Sequence, residues 1–96
     1  MNSYKTEVLS KICYTELVYE RINKKLNSKR SKDEIEKMIY ELIAQTHASQ
    51  FQKRGKNIYV TNHDRNISIT INSNTHRVIT INSDERTKLN NKLLKL

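Results

Sequence analysis

The sequence contains no proline and no tryptophan, and it has one glycine, Gly55, and one cysteine, Cys13. Disordered segments are commonly rich in proline and glycine, so this composition argues against disorder and against a fold dominated by loops. A lone cysteine cannot close an internal disulfide, and Cys13 stands in an apolar stretch. We therefore expect a buried structural thiol rather than a nucleophile, in a protein of the reducing cytoplasm.

Long apolar runs are also missing. No stretch approaches the roughly 20 apolar residues that a membrane helix needs, and no signal-peptide core follows Met1. The length of 96 residues suits one domain spanning residues 1–96. The chain is instead rich in positive charge, because 18 Lys and Arg against 10 Asp and Glu give a net charge of +8. A basic excess fits a partner that carries phosphates, although it also serves to keep soluble proteins apart.

The stretch from Asn57 to Ile81 has the composition of an antiparallel sheet. Isoleucines alternate with Ser, Thr and Asn over residues 67–72, which is the period of a strand with one buried face. Residues 57–62 and 75–81 predict two more strands, and Gln50–Lys53 predicts a possible fourth. Gly55 then stands in the turn between Gln50–Lys53 and the next strand, where a positive φ is plausible.

The turn between the last two strands allows two registers. A loop formed by residues 73–75 would place Ile69 opposite Ile79 and Ile67 opposite Ile81, whereas a two-residue loop would place Ile69 opposite Val78. We favour the first register because it stacks isoleucines on one face. The solvated face would then carry the alternating residues Ser68, Thr70, His76, Val78 and Thr80.

Helical periodicity dominates residues 1–48. Ser3 can cap a first helix that starts at Tyr4, with a break near Thr15 and an end near residues 27–28. Ser31 and Glu34 match a capping box, which opens a second helix that fades near residues 46–47. Its apolar stripe indicates a core-facing helix: Ile35, Met38, Ile39, Leu42 and Ile43. A short C-terminal helix over residues 83–96 would present the leucines Leu89, Leu93 and Leu96.

These elements predict an α+β fold. Two or three N-terminal helices would pack on one face of a three- or four-stranded antiparallel sheet, followed by the short C-terminal helix. The single domain would comprise a helical part, 1–48, a sheet, 50–81, and the helix at 83–96. The leucines of that last helix would dock on the domain, on a partner or on a second copy of the chain.

Three segments, ICYTELVYERINKKL (12–26), FQKRGKNIYVTN (51–62) and ITINSNTHRVIT (69–80), carry a resemblance. They resemble a small, uncharacterised bacterial family known as a domain of unknown function. The resemblance covers most of residues 4–81, leaves out the 83–96 tail, and implies no activity. A weaker resemblance, in element order alone, is to the compact ribonuclease toxins of the RelE and colicin type. It fixes no catalytic residue.

Basic residues interleaved with an aromatic mark the sheet segment as a candidate nucleic-acid surface. Cations contact phosphates and an aromatic ring can stack on a base, which is the general design of single-strand binding surfaces. The candidate binding residues are Lys53, Arg54, Lys56, Tyr59, Arg65, His76 and Arg77, with His63 nearby. A second basic group around the turn between the helices, which could extend this surface, is Lys24, Lys25, Lys29, Arg30 and Lys32.

The three histidines are the candidate acid–base groups for RNA cleavage. His76 has the best predicted position, beside the turn and on the solvated face, whereas His63 lies in a loop and His47 at a helix end. For each of the three histidines, an exposed structural role is the simpler interpretation. No pair of His, Cys or Asp has zinc spacing, so we expect no metal and no cofactor.

The sequence leaves three functions open. The first is interaction with RNA or other nucleic acid through the basic sheet and loop surface, with possible ribonuclease activity. The second is a protein-binding inhibitor or regulator of a nucleic-acid enzyme, of the anti-CRISPR kind. The third is a homodimer held by Leu89, Leu93 and Leu96.

Overall fold

The structure, a computed structural model, describes residues 4–83 and has the α+β fold that the sequence predicts. Its helices are α1 (Tyr4–Lys11), α2 (Glu16–Leu26) and α3 (Lys32–Gln45), and a 3₁₀ turn follows at Ala48–Gln50. Four strands complete it: β1 (Phe51–Arg54), β2 (Asn57–Asn62), β3 (Ile67–Asn72) and β4 (Val78–Ser83). The strands form one antiparallel sheet in the order β1-β2-β3-β4. The C-terminal helix expected at 83–96 lies outside the described residues, apart from Ser83 at the end of β4.

The helix boundaries follow the capping signals. Thr15 occupies the N-cap of α2 with an extended backbone, which confirms the break in the first helical stretch. Asn27 ends α2 in the left-handed conformation, with φ 53°. The capping box is also confirmed, because the Ser31 hydroxyl accepts from the Glu34 amide at 3.2 Å while the Glu34 carboxylate accepts from the Ser31 amide at 2.8 Å.

The register of β3 and β4 differs from both registers that the sequence suggested. Ile69 pairs with Ile81 and Ile67 with Ser83, because the loop between the strands spans five residues, 73–77. A bulge then leaves Ile79 without a direct partner on β3, between the pairs Thr70–Thr80 and Ile71–Val78. The extra residue reverses which side of the sheet the residues before it face. Val78 therefore points into the core, where it is 2% exposed, instead of facing solvent.

One face of the sheet packs against the helices. The core joins Val8 of α1, the apolar stripes of α2 and α3, and the alternating apolar residues of the strands. Its largest fully buried side chains are Ile22, Ile35, Ile39, Ile43, Ile58, Ile69, Ile71 and Ile81. The opposite side, which we call the polar face, carries the residues that alternate with them: Gln52, Arg54, Asn57, Tyr59, Thr61, Ser68, Thr70, Thr80 and Asn82.

The core makes a direct prediction about stability. Ile39→Ala and Ile69→Ala each leave a cavity in a fully buried site, so each should lower the free energy of unfolding by roughly 2–5 kcal/mol. Urea denaturation measures the loss, with Lys37→Ala, at an exposed position of α3, as the control. A loss below about 0.5 kcal/mol at both isoleucines would contradict this packing.

Candidate nucleic-acid interface

Arg54 and Tyr59 form a stacked pair on the polar face. The β1–β2 register places Arg54 opposite Asn57 and Gln52 opposite Tyr59, so the arginine and the tyrosine are diagonal neighbours. The Arg54 guanidinium carbon lies 4.7 Å from the centre of the Tyr59 ring. Arg54 is exposed and Tyr59 half-buried. The pair therefore offers solvent a positive charge beside an aromatic ring, held by two paired strands.

Two turns bring further charge to the same end of the sheet. In an antiparallel meander the β1–β2 turn and the β3–β4 loop lie at one end, and here they are joined directly. The amide and the hydroxyl of Ser73 both donate to the carbonyl of Lys56, at 2.8 and 2.9 Å. Gly55, in the β1–β2 turn, has the expected positive φ of 60°. The backbone of Lys56 is thus anchored while its side chain stays exposed.

Lys53 and Arg77 flank this end rather than lying on the polar face. Lys53 pairs with Ile58, so it belongs to the helix-packed side at the β1 edge, close enough to Glu7 to help lower the pKa of that carboxyl. Arg77 is exposed in the β3–β4 loop and borders a cavity of about 240 Å³ beside α2. The predicted group of cations is therefore spread around the end of the sheet.

Arg65 lies at the opposite end, in the β2–β3 turn. The six residues of β2 separate that turn from Lys56 by about 20 Å, so Arg65 does not join the other predicted binding residues. It lines a cavity of about 450 Å³ together with Arg30 of the α2–α3 connection. Two residues of the second basic group reach this end of the molecule: Arg30, and Lys25, whose Nζ donates to the Asn82 side chain at 3.3 Å.

His76 is buried, which corrects its predicted position on the solvated face. It is 8% exposed, its backbone is left-handed with φ 61°, and its Nε2 lies 2.6 Å from the Glu7 carboxylate of α1. The bulge in β4 explains this error, because it displaces the loop residues from simple alternation. Thr70 keeps its predicted place on the polar face, between Tyr59 and Thr80, but is also only 8% exposed. The hydrogen bond from His76, followed by its charge, lowers the pKa of Glu7.

Cys13 supports the same contact between α1 and the β3–β4 loop. Its amide donates to the His76 carbonyl at 2.9 Å, and its carbonyl accepts from the Val78 amide at 3.0 Å. Its thiol, half-buried rather than fully buried as expected, lies 3.3 Å from the Thr75 carbonyl. These bonds give Cys13 a structural role, and they fix His76 away from the polar face.

His47 and His63 line one cavity, which sequence reasoning missed. The cavity is about 210 Å³ and lies where the end of α3 meets the β2–β3 turn. A buried bond from the Asn62 amide to the Thr46 hydroxyl, at 3.0 Å, joins the two elements there. The histidines are sixteen residues apart in sequence, and the pairing of β1 with β2 together with this contact brings them to one cavity.

A comparison with protein-family models gives a match over most of the chain. The model described as "Protein of unknown function (DUF3781)" matches residues 6–82. The chain belongs to this family. No curated protein and no solved structure matches the chain, and the weaker resemblance to ribonuclease toxins receives no support.

The DUF3781 match confirms the resemblance that the sequence carried, and its end at residue 82 confirms that the tail lies outside it.

Within residues 4–83, no three His, Cys, Asp or Glu residues are grouped so that they could hold a metal ion. In the same range no helix is both long and apolar enough to cross a membrane.

The His76–Glu7 contact predicts a pH dependence of stability. The folded pKa of Glu7 lies below its ordinary value of 4.5, so the folded protein binds this proton less tightly than the unfolded chain. The stabilisation is therefore complete above about pH 4.5 and is lost as the pH falls through the lower, folded value.

Urea denaturation from pH 3 to pH 7 tests this linkage. Wild type should be more stable than Glu7→Gln at neutral pH, and the difference should shrink as the solution is acidified. Glu20→Gln, which neutralises an exposed carboxylate of α2, is the control and should show no such trend. A difference between wild type and Glu7→Gln that is constant over the whole range would contradict the role of this contact.

Proposed function

We propose that this protein binds single-stranded RNA, or another single-stranded nucleic acid, through the polar face of its sheet. The Arg54–Tyr59 pair is the observation that carries the proposal. The Arg54 guanidinium lies over the Tyr59 ring, so a base can stack on the guanidinium plane or replace it on the ring, and the displaced arginine can contact the adjoining phosphate. Because neighbouring strands hold both residues, little conformational freedom is lost on binding.

The surrounding charge supports the same function. Lys56 stands in the turn at the end of the sheet that bears the pair, Lys53 flanks that end on the helix-packed side, and the chain as a whole has a net charge of +8. Lysines at strand ends and turns can follow a flexible phosphate backbone without rigid geometry. The field of an overall basic protein also accelerates encounter with a polyanion.

The rest of the polar face is suited to hydrogen bonding with a nucleic-acid strand. Thr61 and Ser68 pair across β2 and β3, one residue-pair beyond Tyr59 along the polar face. Their hydroxyls can donate to phosphate oxygens or accept from a ribose 2′-hydroxyl. A strand stacked on Tyr59 would therefore meet polar partners along β2 and β3.

The proposal places the protein in the cytoplasm, where a lone thiol such as Cys13 stays reduced.

A different surface favours the second candidate, a protein-binding inhibitor or regulator. Leu17 of α2 is 74% exposed and lines the 240 Å³ cavity with Val18, Ile79, Arg21 and Arg77. The adjoining β4 is an edge strand without a charged residue, and uncharged edges readily accept another strand. Its partner would bring apolar and acidic groups.

The third candidate, a homodimer through Leu89, Leu93 and Leu96, stays a prediction about residues outside the described range.

The RNA proposal predicts how affinity depends on salt. Lys56→Ala should weaken binding and reduce the slope of log affinity against log salt by about 0.7. Binding releases fewer counterions when the protein makes one phosphate contact fewer. Tyr59→Ala should cost about 1–3 kcal/mol of binding free energy with little change in slope, since stacking displaces no ions.

Fluorescence anisotropy with a labelled mixed-sequence RNA, over a series of salt concentrations, measures both quantities. Lys37→Ala, at an exposed position of α3, is the charge-matched control. It should change the affinity and the salt slope less than Lys56→Ala does. Arg65→Ala, at the far end of the sheet, reports whether the strand extends that far. If the wild type does not bind RNA even at low salt, the proposal is wrong and the protein-binding function replaces it.

The protein-binding candidate predicts a complex that survives nuclease. A tagged chain should retain a protein from native lysate after nuclease treatment, and Leu17→Asp should release that protein because it places a charge in an apolar contact. Tyr59→Ala is the matched control and should leave the complex intact. Retention that is lost on nuclease treatment counts against this candidate.

A further inference from the structure

The two histidines of the 210 Å³ cavity are connected by an uninterrupted series of hydrogen bonds. His63 Nε2 lies 3.0 Å from the side-chain oxygen of Gln50. The Gln50 amide nitrogen donates to the Ser49 hydroxyl at 3.5 Å, and that hydroxyl lies 2.9 Å from His47 Nδ1. The Ser49 backbone amide also donates to His47 Nδ1, at 3.1 Å. The polar groups of the 3₁₀ turn therefore orient both imidazole rings.

These bonds give the two rings different free nitrogens. Because the Gln50 oxygen can only accept, His63 carries a proton on Nε2 and leaves its Nδ1 lone pair free. His47 is held at Nδ1, so its Nε2 is the nitrogen left free to act on a ligand. In the neutral form, His47 Nδ1 accepts from the Ser49 backbone amide. When His47 is protonated, Nδ1 carries a hydrogen, loses that bond and donates to the Ser49 hydroxyl instead.

The cavity adjoins the polar face of the sheet. His63 and Thr61 line both this cavity and a second one of about 290 Å³, which continues to Ser68 and Asn82 of the polar face. A nucleic-acid strand that stacks on Tyr59 and follows Thr61 along β2 therefore arrives at His63. Asp64 and Arg65 follow His63 in the same turn and contribute one charge of each sign.

From this geometry we infer that His47 and His63 are the acid–base pair of an RNA-cleaving site at the far end of the polar face. The inference rests on the proposed RNA-binding function and deepens it. The neutral His63 accepts the proton of a ribose 2′-hydroxyl at Nδ1 while the 2′ oxygen attacks the adjacent phosphorus. The protonated His47 donates its Nε2 proton to the departing 5′ oxygen as the phosphorus–oxygen bond breaks.

The reaction balances without any further reactant. One bond forms between the 2′ oxygen and phosphorus, one bond breaks between phosphorus and the 5′ oxygen, and the proton removed at one oxygen is replaced at the other. The products are a 2′,3′-cyclic phosphate and a 5′-hydroxyl. Afterwards His63 is protonated and His47 neutral, and exchange with water restores the starting forms.

The site differs from the one that the sequence favoured. His76 is buried against Glu7 and belongs to the contact between α1 and the β3–β4 loop, so its ring has no path to the polar face. His47 and His63 are both exposed, and they share one cavity.

The test compares matched variants on a labelled single-stranded RNA and on the same sequence as DNA. His63→Gln keeps a donor toward Gln50 but removes the base, and His47→Asn keeps an acceptor for the Ser49 amide but removes the acid. Each should slow RNA cleavage by about 10²–10⁴-fold while RNA affinity stays within a few fold. His76→Gln should cleave like the wild type. Wild-type circular dichroism spectra and cooperative thermal transitions verify that each variant is folded, with a lower midpoint expected for His76→Gln because it loses the contact with Glu7.

Three further readouts separate an acid–base pair from a structural role. The products should carry a 2′,3′-cyclic phosphate, and the DNA should stay intact because it lacks the 2′-hydroxyl. The wild-type rate should have a bell-shaped pH profile. The acid limb should disappear in His63→Gln, which has lost the base, and the alkaline limb in His47→Asn, which has lost the acid.

The outcomes distinguish the inference from the function on which it rests. RNA binding without cleavage by the wild type would overturn the acid–base pair and leave the binding function standing. Cleavage that is unchanged in both His47→Asn and His63→Gln, or that is lost in a folded His76→Gln, would also overturn it. No RNA binding at low salt and no cleavage would overturn the proposed function itself.

Discussion

The alternation of isoleucines along the strands is the constraint on which the rest of this structure depends. Each isoleucine that enters the core sends its neighbours to the other side of the sheet, because successive side chains of a strand point in opposite directions. Ile58, Ile69 and Ile81 are completely or almost completely buried under α2 and α3. Burial of each such side chain contributes on the order of 1.5–3 kcal/mol. The polar face is therefore a direct consequence of how the core is built.

The β-bulge shows how far one residue can shift the chemistry of a small sheet. Without it, strict alternation of β4 would place Val78 toward solvent. With it, Val78 enters the core, and the residues before it form a five-residue loop whose left-handed His76 reaches Glu7. The bulge thus removes one histidine from the surface and ties α1 to the sheet. The remaining histidines, His47 and His63, are left at the opposite end.

The sequence predicted the fold well where the physics is local. The capping box at Ser31, the break at Thr15 and the turn at Gly55 each depend on a few neighbouring residues, and all three are confirmed. The isoleucine-rich strand is also present as β3, although Thr70, expected on its solvated face, is buried. The register of β4 was wrong because bulge formation depends on how the whole loop packs against Cys13. No short-range pattern in the sequence encodes that contact.

The candidate site divides in the same way. Arg54 and Tyr59 lie close in sequence on two strands joined by a tight turn, so their meeting on one face could be predicted. The pairing of His47 with His63 was missed, because the β1–β2 register brings their segments near each other but only the bonds of Thr46 with Asn62 and of Gln50 with His63 fix the contact. The most useful signal was the residue type: a buried asparagine at a strand end needs a polar partner, and that partner lay beside His47.

The distribution of charge and of hydrogen bonds gives the two ends of the polar face different capacities. At the Tyr59 end, the Arg54 guanidinium lies over the aromatic ring and Lys56 stands in the adjoining turn, which suits stacking and phosphate contact with little demand on geometry. At the His63 end, Gln50 and Ser49 fix the orientation of two imidazoles, and acid–base chemistry needs such fixed positions more than it needs net charge. About 20 Å of β2 and β3 joins the two ends. Under the proposed function, a strand bound at the first end would be presented to the second, so affinity and reaction would depend on different residues of one continuous surface.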